Sequence, residues 1–142
     1  MTMLFAYLGV LGWSFLAATV LPGGSEVALA ALVRTEQAWV LPVLVATLGN
    51  YLGACTTYWL GYQAAHLVPQ QPAVPMQHGR AAQLLRRYGT WALILSWVPI
   101  VGDALVALAG AMQIPFARFS AWVVLGKGVR YLVIAWATLM VA

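Results

Sequence analysis

Two apolar stretches of this sequence are each broken by a proline. In both, an acidic residue stands four positions after the proline. Pro22 precedes Glu26 in LPGGSEVALAAL, and Pro99 precedes Asp103 in WVPIVGDALVALA. Because proline breaks a helix, each stretch is predicted to form two short helical arms around a tip. The chain has only three acidic residues. Two of them lie in apolar surroundings, where a charge is costly, and this placement indicates a function for them.

The composition indicates a membrane protein. Of the 142 residues, 63% are hydrophobic and 7% are charged, whereas soluble domains contain about 25% charged residues. This length predicts a single domain. Nucleic-acid binding is not expected, because the seven basic residues are few and stand in apolar context rather than in an exposed cluster.

The apolar segments differ in length. A spanning helix needs about 20 apolar residues, and segments 39–62 and 119–141 reach that length. The apolar arms next to the two prolines contain only ten to twelve residues each. A helix of that length spans about half the thickness of a bilayer. Such arms predict re-entrant hairpins, which are tolerated only where they are buried in protein or line a wet cavity.

A polar segment separates the two halves. Pro69, Pro72 and Pro75 exclude a continuous helix across 66–79 and predict an extended linker. The stretch from 80 to 88 is predicted to be a short amphipathic helix on the membrane surface. Its apolar face would hold Ala81, Leu84, Leu85 and Tyr88.

The halves are predicted to be repeats of one unit. A shift of 77 residues places Glu26 on Asp103 and Asn50 on Lys127, together with the two prolines that break the hairpins. Each unit would hold a surface segment, a broken hairpin and one spanning helix. A unit with one net crossing is inverted when it is repeated, an arrangement typical of secondary transporters.

The predicted fold is therefore an all-α integral membrane protein with two inverted repeats. Each repeat holds a re-entrant hairpin followed by a transmembrane helix, and the surface helix lies between the halves. The single domain 1–142 would consist of repeat one at about 1–65, the linker 66–79 and repeat two at about 80–142.

The basic residues predict the orientation. Four arginines would share one face of the membrane: Arg80, Arg86, Arg87 and Arg118. The positive-inside rule makes that face cytoplasmic. The segment 66–87 is thus predicted to be cytoplasmic and both termini to lie outside.

Five polar residues are predicted to meet near the bilayer midplane. They are Glu26, Asn50, Asp103, Lys127 and Arg130. Asn50 lies about 16 Å into its helix, and Lys127 and Arg130 about 14 and 18 Å into theirs. A lone charge at this depth costs about 2.5 to 3.5 kcal/mol, so these groups are predicted to pair or to share a water-filled pocket.

The hairpin tips bring the two acids to similar depth. The tip residues are Pro22, Gly23, Gly24, Pro99 and Gly102. Two interpretations of the polar cluster stay open at this point. It is a substrate or proton pathway, the usual meaning of ionisable residues inside a membrane, or a structural clasp that fixes register.

Enzymatic chemistry and a metal or other cofactor are not expected. The turn Gly23-Gly24-Ser25 has neither the lysine of a phosphate loop nor the pattern of a nucleophile elbow. His66 and His78 have no carboxylate or cysteine at ligand spacing.

Small residues on the first spanning segment predict close helix packing. Gly49 and Gly53 form a GxxxG motif and Gly61 extends the same face. The contact would form either within one chain or in a homo-oligomer.

Four ordered motifs carry a resemblance to a known family. They are FLAATVLPGGSEVAL (15–29), ATLGNYLGACTTYWLG (46–61), RRYGTWALILSWVPIVGDALVALAG (86–110) and LGKGVRYLVIA (125–135). Together they resemble the YqaA-like branch of the DedA superfamily, also called the VTT or SNARE-associated Golgi protein domain. The resemblance implies a bacterial inner-membrane protein with two re-entrant hairpins and a role in membrane homeostasis. Members are proposed to move polyprenyl-phosphate carriers or phospholipids, with coupling to protons.

The two hairpins match that family unequally. Glu26 matches the acid after the first tip. Many members carry an arginine three residues before and after the second proline, where this chain has Ser96 and Gly102. Lys127 and Arg130 are inferred to supply the missing positive charge. The leading hypothesis is a transporter of lipid or small solute with membrane lipids and protons as partners, and the alternative is a non-transporting structural or assembly factor.

Overall fold

The computed structural model describes residues 1–19, 24–67, 79–98 and 100–141, and every regular element in these ranges is helical. In chain order the elements are α1 (Thr2–Thr19), α2 (Ser25–Glu36), α3 (Val40–Leu67), α4 (Arg80–Tyr88), the 3-10 segment (Gly89–Trp97), α5 (Val101–Ala111) and α6 (Phe116–Val141). The predicted tip residues Pro22, Gly23 and Pro99 lie outside the described residues, as does 68–78 of the linker. The all-α prediction is confirmed for the described part.

Three of these helices are long and apolar enough to cross a membrane, judged by length and composition: α1, α3 and α6. Their outward faces carry large apolar side chains such as Leu4, Trp59 and Trp136, which are all more than half exposed. A soluble protein buries most side chains of this kind, whereas a bilayer solvates them. The chain is therefore an integral membrane protein.

The long helices run beyond their predicted limits. α3 continues through Leu67 instead of ending near residue 62, because no helix-breaking residue occurs before Pro69. α6 begins at Phe116 rather than at 119. Its first turn is closed by Phe119, whose N–H donates to the carbonyl oxygen of Pro115 at 3.0 Å.

The N-terminal arm also differs from its prediction. The sequence predicts a surface segment and a short arm before the first tip, but α1 is one continuous helix of 18 residues. Gly9 and Gly12 do not interrupt it, since glycine is common within membrane helices. The arms on either side of the first tip are therefore unequal, about 27 Å for α1 and about 18 Å for α2.

The second half confirms the short helix but not the arm that follows it. α4 spans Arg80–Tyr88, as its apolar face predicts, although the buried side chains are Ala82 and Leu85 while Tyr88 is exposed. The next apolar stretch is a 3-10 helix through Trp97 rather than an α-helix. Runs of this length are uncommon for a 3-10 helix.

Each long helix of one half packs on the short helix of the other half. α3 contacts α1 and α5, and α6 contacts the 3-10 segment and α2. Glycine allows a close approach of α3 to α1, since a methyl group at Gly49 or Gly53 would overlap the carbonyl oxygen of Leu11 or Phe15. The GxxxG motif thus packs within one chain, and it uses α1 as its partner.

α3 and α6 run in opposite directions where they touch. Tyr51 shares a hydrogen bond of 2.7 Å with Ser120, and Asn50 donates one of 2.8 Å to Tyr131. Residue numbers rise on one helix as they fall on the other. This antiparallel contact brings together the polar residues of the two longest helices.

Candidate functional site

A polar layer lies between two apolar cores. One core contains Ala54 of α3 with Val123 of α6, and the other contains Ala46 of α3 with Tyr131 of α6. Asn50 and Lys127 stand on the same two helices between those cores, and they are 3% and 2% exposed. Buried polar groups need partners because they cannot reach water.

The layer contains one ion pair. The carboxylate of Glu26, in the first turn of α2, is paired with the guanidinium of Arg130 on α6. The side chains are 28% and 15% exposed. Because α2 and α6 belong to opposite sequence halves, this pair joins the halves and neutralises two charges that would be costly apart.

A chain of hydrogen bonds runs beside the ion pair. The ammonium of Lys127 donates to Asn50 Oδ1, and Asn50 Nδ2 donates to the Tyr131 hydroxyl at 2.8 Å. That hydroxyl donates to Ser25 Oγ at 3.0 Å. Every donor points in the same direction, from Lys127 towards the start of α2. The amide of Asn50 is engaged at both ends, so it is held in one orientation.

Asp103 forms no ion pair with any described residue. It lies half-buried in the first turn of α5. Its carboxylate interacts electrostatically with Lys127, but the ammonium of that lysine is hydrogen-bonded to Asn50. The predicted set of two acids and two bases therefore forms one ion pair, and Asp103 stands at its margin.

Two members of the layer were not predicted from the sequence, Ser25 and Tyr131. Both are buried, and both link α2 to α6 through their hydroxyl groups. Their signal in the sequence is position, since Ser25 precedes Glu26 and Tyr131 follows Arg130. Hydroxyl side chains are frequent in membrane helices, so their type alone does not single them out.

The described tip residues shape the starts of the short helices. Gly24 precedes α2 with φ of 90°, a left-handed conformation that favours glycine, and a side chain there would meet the indole of Trp13. Gly102 lies against the carbonyl oxygen of Ser96, where a methyl group would clash. These glycines hold each acid-bearing helix close to the segment before it.

The described residues include no group of three or more histidine, cysteine, aspartate or glutamate side chains that could hold a metal ion.

A fold of three long apolar helices around a buried charged layer defines an all-helical integral membrane protein. The sequence profile of the VTT domain matches residues 21–139, which is most of the chain. The protein therefore belongs to the VTT domain family, the DedA family, as its motifs predict.

Two relatives illustrate the match. The chain is 44% identical over 127 residues to "Inner membrane protein YqaA" of Escherichia coli (strain K12), which covers 88% of this chain and 85% of the relative. It is 40% identical over 126 residues to a protein of Haemophilus influenzae, with 83% and 78% covered. Together with the three apolar helices, these relatives support a bacterial inner-membrane protein. No solved structure matches the chain.

Proposed function

We propose that the protein is a small inner-membrane transporter that moves a lipid, a polyprenyl-phosphate or a phospholipid, or a small solute across the bilayer. Coupling to protons and a role in membrane homeostasis are part of the proposal. The observation that carries it is the ion pair of Glu26 with Arg130, which is partly exposed and lies within apolar helices. Ionisable residues inside a membrane are functional-site candidates by default, because they mark substrate and proton pathways.

The fold proposed for this function is an inverted repeat with two re-entrant hairpins. The shift of 77 residues carries α1 onto α4 and the 3-10 segment, α2 onto α5, and α3 onto α6. α2 and α5 hold 12 and 11 residues, too few for a helix that crosses a bilayer. The antiparallel contact of α3 with α6 also supports inversion.

The membrane orientation is testable with the single thiol. In a Cys55→Ser background, one cysteine is placed at Pro22 or at Pro99, and a membrane-impermeant maleimide is added from each side. The inverted repeat predicts labelling of the two tips from opposite sides. Labelling of both tips from the same side only would contradict the inverted repeat. Cysteines at Gln77 and at Thr2 test the cytoplasmic linker and the external N-terminus.

The proposed transport is tested with purified protein in liposomes that contain a fluorescent phospholipid or polyprenyl-phosphate. Wild type should exceed empty liposomes, while Glu26→Gln and Arg130→Ala should each reduce the rate about tenfold, equivalent to about 1.4 kcal/mol. Arg34→Ala is the matched control, because Arg34 is exposed at the end of α2. Normal rates in both folded site variants would reject the site.

The second candidate is a non-transporting structural or assembly factor of the membrane. The observation in its favour is the chain from Lys127 to Ser25, whose side chains satisfy one another. A closed network of this kind can fix register without any ligand. Wild-type rates equal to those of empty liposomes for every lipid tested would favour this candidate.

A further inference from the structure

An apolar cleft opens beside the ion pair. It has a volume of about 430 Å³, and its described lining consists of Trp97 from the 3-10 segment with Val129, Arg130, Val133 and Ile134 of α6. Ligand sites in proteins measure about 300–1,000 Å³ and are mostly apolar with a few polar groups that orient the ligand. The cleft meets both criteria.

Arg130 is the only charged side chain in that described lining. Its guanidinium presents N–H donors in a planar fork, which binds one oxyanion with two parallel hydrogen bonds. An apolar wall with one cation at its edge is complementary to an amphiphile that has an apolar chain and an anionic headgroup. A neutral lipid would leave the cation with no new partner.

Glu26 already binds the guanidinium that such a headgroup would bind. Arginine binds a carboxylate and a phosphate in the same way, with two parallel hydrogen bonds. Glu26 also lies in the first turn of α2, where the helix dipole favours a negative charge. Its carboxylate can therefore leave Arg130 and still lie in a favourable field.

We propose that Glu26 is an internal competitor for the anion site of Arg130. A lipid whose headgroup is a phosphate monoester with net negative charge displaces the Glu26 carboxylate and places an acyl chain in the cleft beside Trp97. This inference rests on the proposed function and deepens it, since it names the group that limits binding of the lipid. Glu26 thereby keeps Arg130 neutralised while the site is empty and promotes release of the bound lipid.

The test measures binding rather than transport. The full chain is placed in phosphatidylcholine nanodiscs, and phosphatidic acid with brominated acyl chains is titrated in. Bromine quenches tryptophan fluorescence at short range, so Trp97 reports occupancy of the cleft. Brominated phosphatidylcholine is the comparison without net charge, because its choline cation balances its phosphate. The quenching specific to phosphatidic acid should be lost in Trp97→Phe.

Removal of the competing charge should strengthen binding. Glu26→Gln is expected to lower the half-saturating fraction of phosphatidic acid about fivefold or more, the range of a coupling free energy between sites. Arg130→Gln should abolish the preference for phosphatidic acid over phosphatidylcholine. Glu36→Gln is the control, because Glu36 bonds to Tyr7 whereas Arg130 pairs with Glu26. This variant should bind as wild type does.

Two results would overturn the inference. Unchanged binding in Glu26→Gln would show that Glu26 does not compete for Arg130, and weaker binding would make Glu26 part of the ligand site. A preference for phosphatidic acid that survives Arg130→Gln would place the anion site elsewhere. If Glu26→Gln does not fold, Glu26→Asp substitutes for it, since a carboxylate one methylene shorter should compete less. Selective binding without translocation would refute the proposed transport and leave this inference standing. Translocation by the wild type together with unchanged binding in Glu26→Gln would refute this inference and leave the proposed transport standing.

Discussion

Asn50 and Lys127 occupy matching positions of the two sequence halves, 77 residues apart, and are hydrogen-bonded to each other. In an arrangement with two-fold symmetry, a residue that contacts its own counterpart lies on the axis. Under the inverted-repeat proposal, this bond therefore marks the axis that relates the two halves. The chain places an amide on one side of that axis and an ammonium on the other, which makes the centre of the protein asymmetric.

Asn50→Leu should destabilise the protein more than Lys127→Met does. The first change leaves a buried ammonium without its acceptor, at a cost of about 3 kcal/mol or more. The second removes the charge and leaves Asn50 bonded to Tyr131, at a cost of about 1 kcal/mol. Thermal unfolding in detergent, followed by circular dichroism, gives the order. The double variant should recover part of the loss, and the reverse order would show that Asn50 does not hold the lysine.

The pair of Glu26 and Arg130 should behave as a coupled unit. Arg130→Met alone leaves the carboxylate unpaired and should cost about 1–3 kcal/mol, below the value for a fully buried pair because both side chains are partly exposed. Adding Glu26→Gln should return most of that stability. The measurement is a double-mutant cycle of unfolding free energies. Additive effects would mean that the two side chains do not interact in the membrane.

Tyr131→Phe isolates the hydroxyl that links α3 to α2. It removes the bonds to Asn50 and Ser25 and should cost about 1–2 kcal/mol, since two buried groups lose a partner. Tyr88→Phe is the control, because Tyr88 is more than half exposed. Hydrogen exchange should also rise in the first turn of α2. A loss of stability without faster exchange there would place the effect on α3 instead.

The charged and amide members of the site could be predicted from the sequence because such residues are rare in it. Glu26, Lys127 and Arg130 interrupt apolar segments, and the cost of an unpaired charge in a bilayer requires that they find partners. Asn50 interrupts an apolar segment in the same way. Ser25 could not be predicted in the same way, since a hydroxyl can bond to its own helix and needs no distant partner.

The parts of the fold that could not be predicted depend on tertiary contacts. The stretch before Trp97 is apolar on every side, so it has no periodicity that separates an α-helix from a 3-10 helix. Its position against α6 depends on Gly126, which lies beside the carbonyl oxygen of Ile94. The lack of an ion pair at Asp103 likewise follows from the partner that Lys127 takes on α3.

Glycines on the contact of α3 with α5 should be intolerant of alanine. A methyl group at Gly61 would overlap the carbonyl oxygen of Ala107, and one at Gly110 would overlap that of Tyr58. Each change forces two backbones apart and should cost about 1–3 kcal/mol.

The matched controls are Gly9→Ala and Gly12→Ala, which lie in α1 with no atom within 4 Å of the added methyl group. Because alanine is the better helix former, these two should be neutral or stabilising by about 0.5–1 kcal/mol. Melting temperatures of the four single variants in one detergent give the comparison. If Gly61→Ala and Gly110→Ala melted with the controls, α3 and α5 would not be in backbone contact.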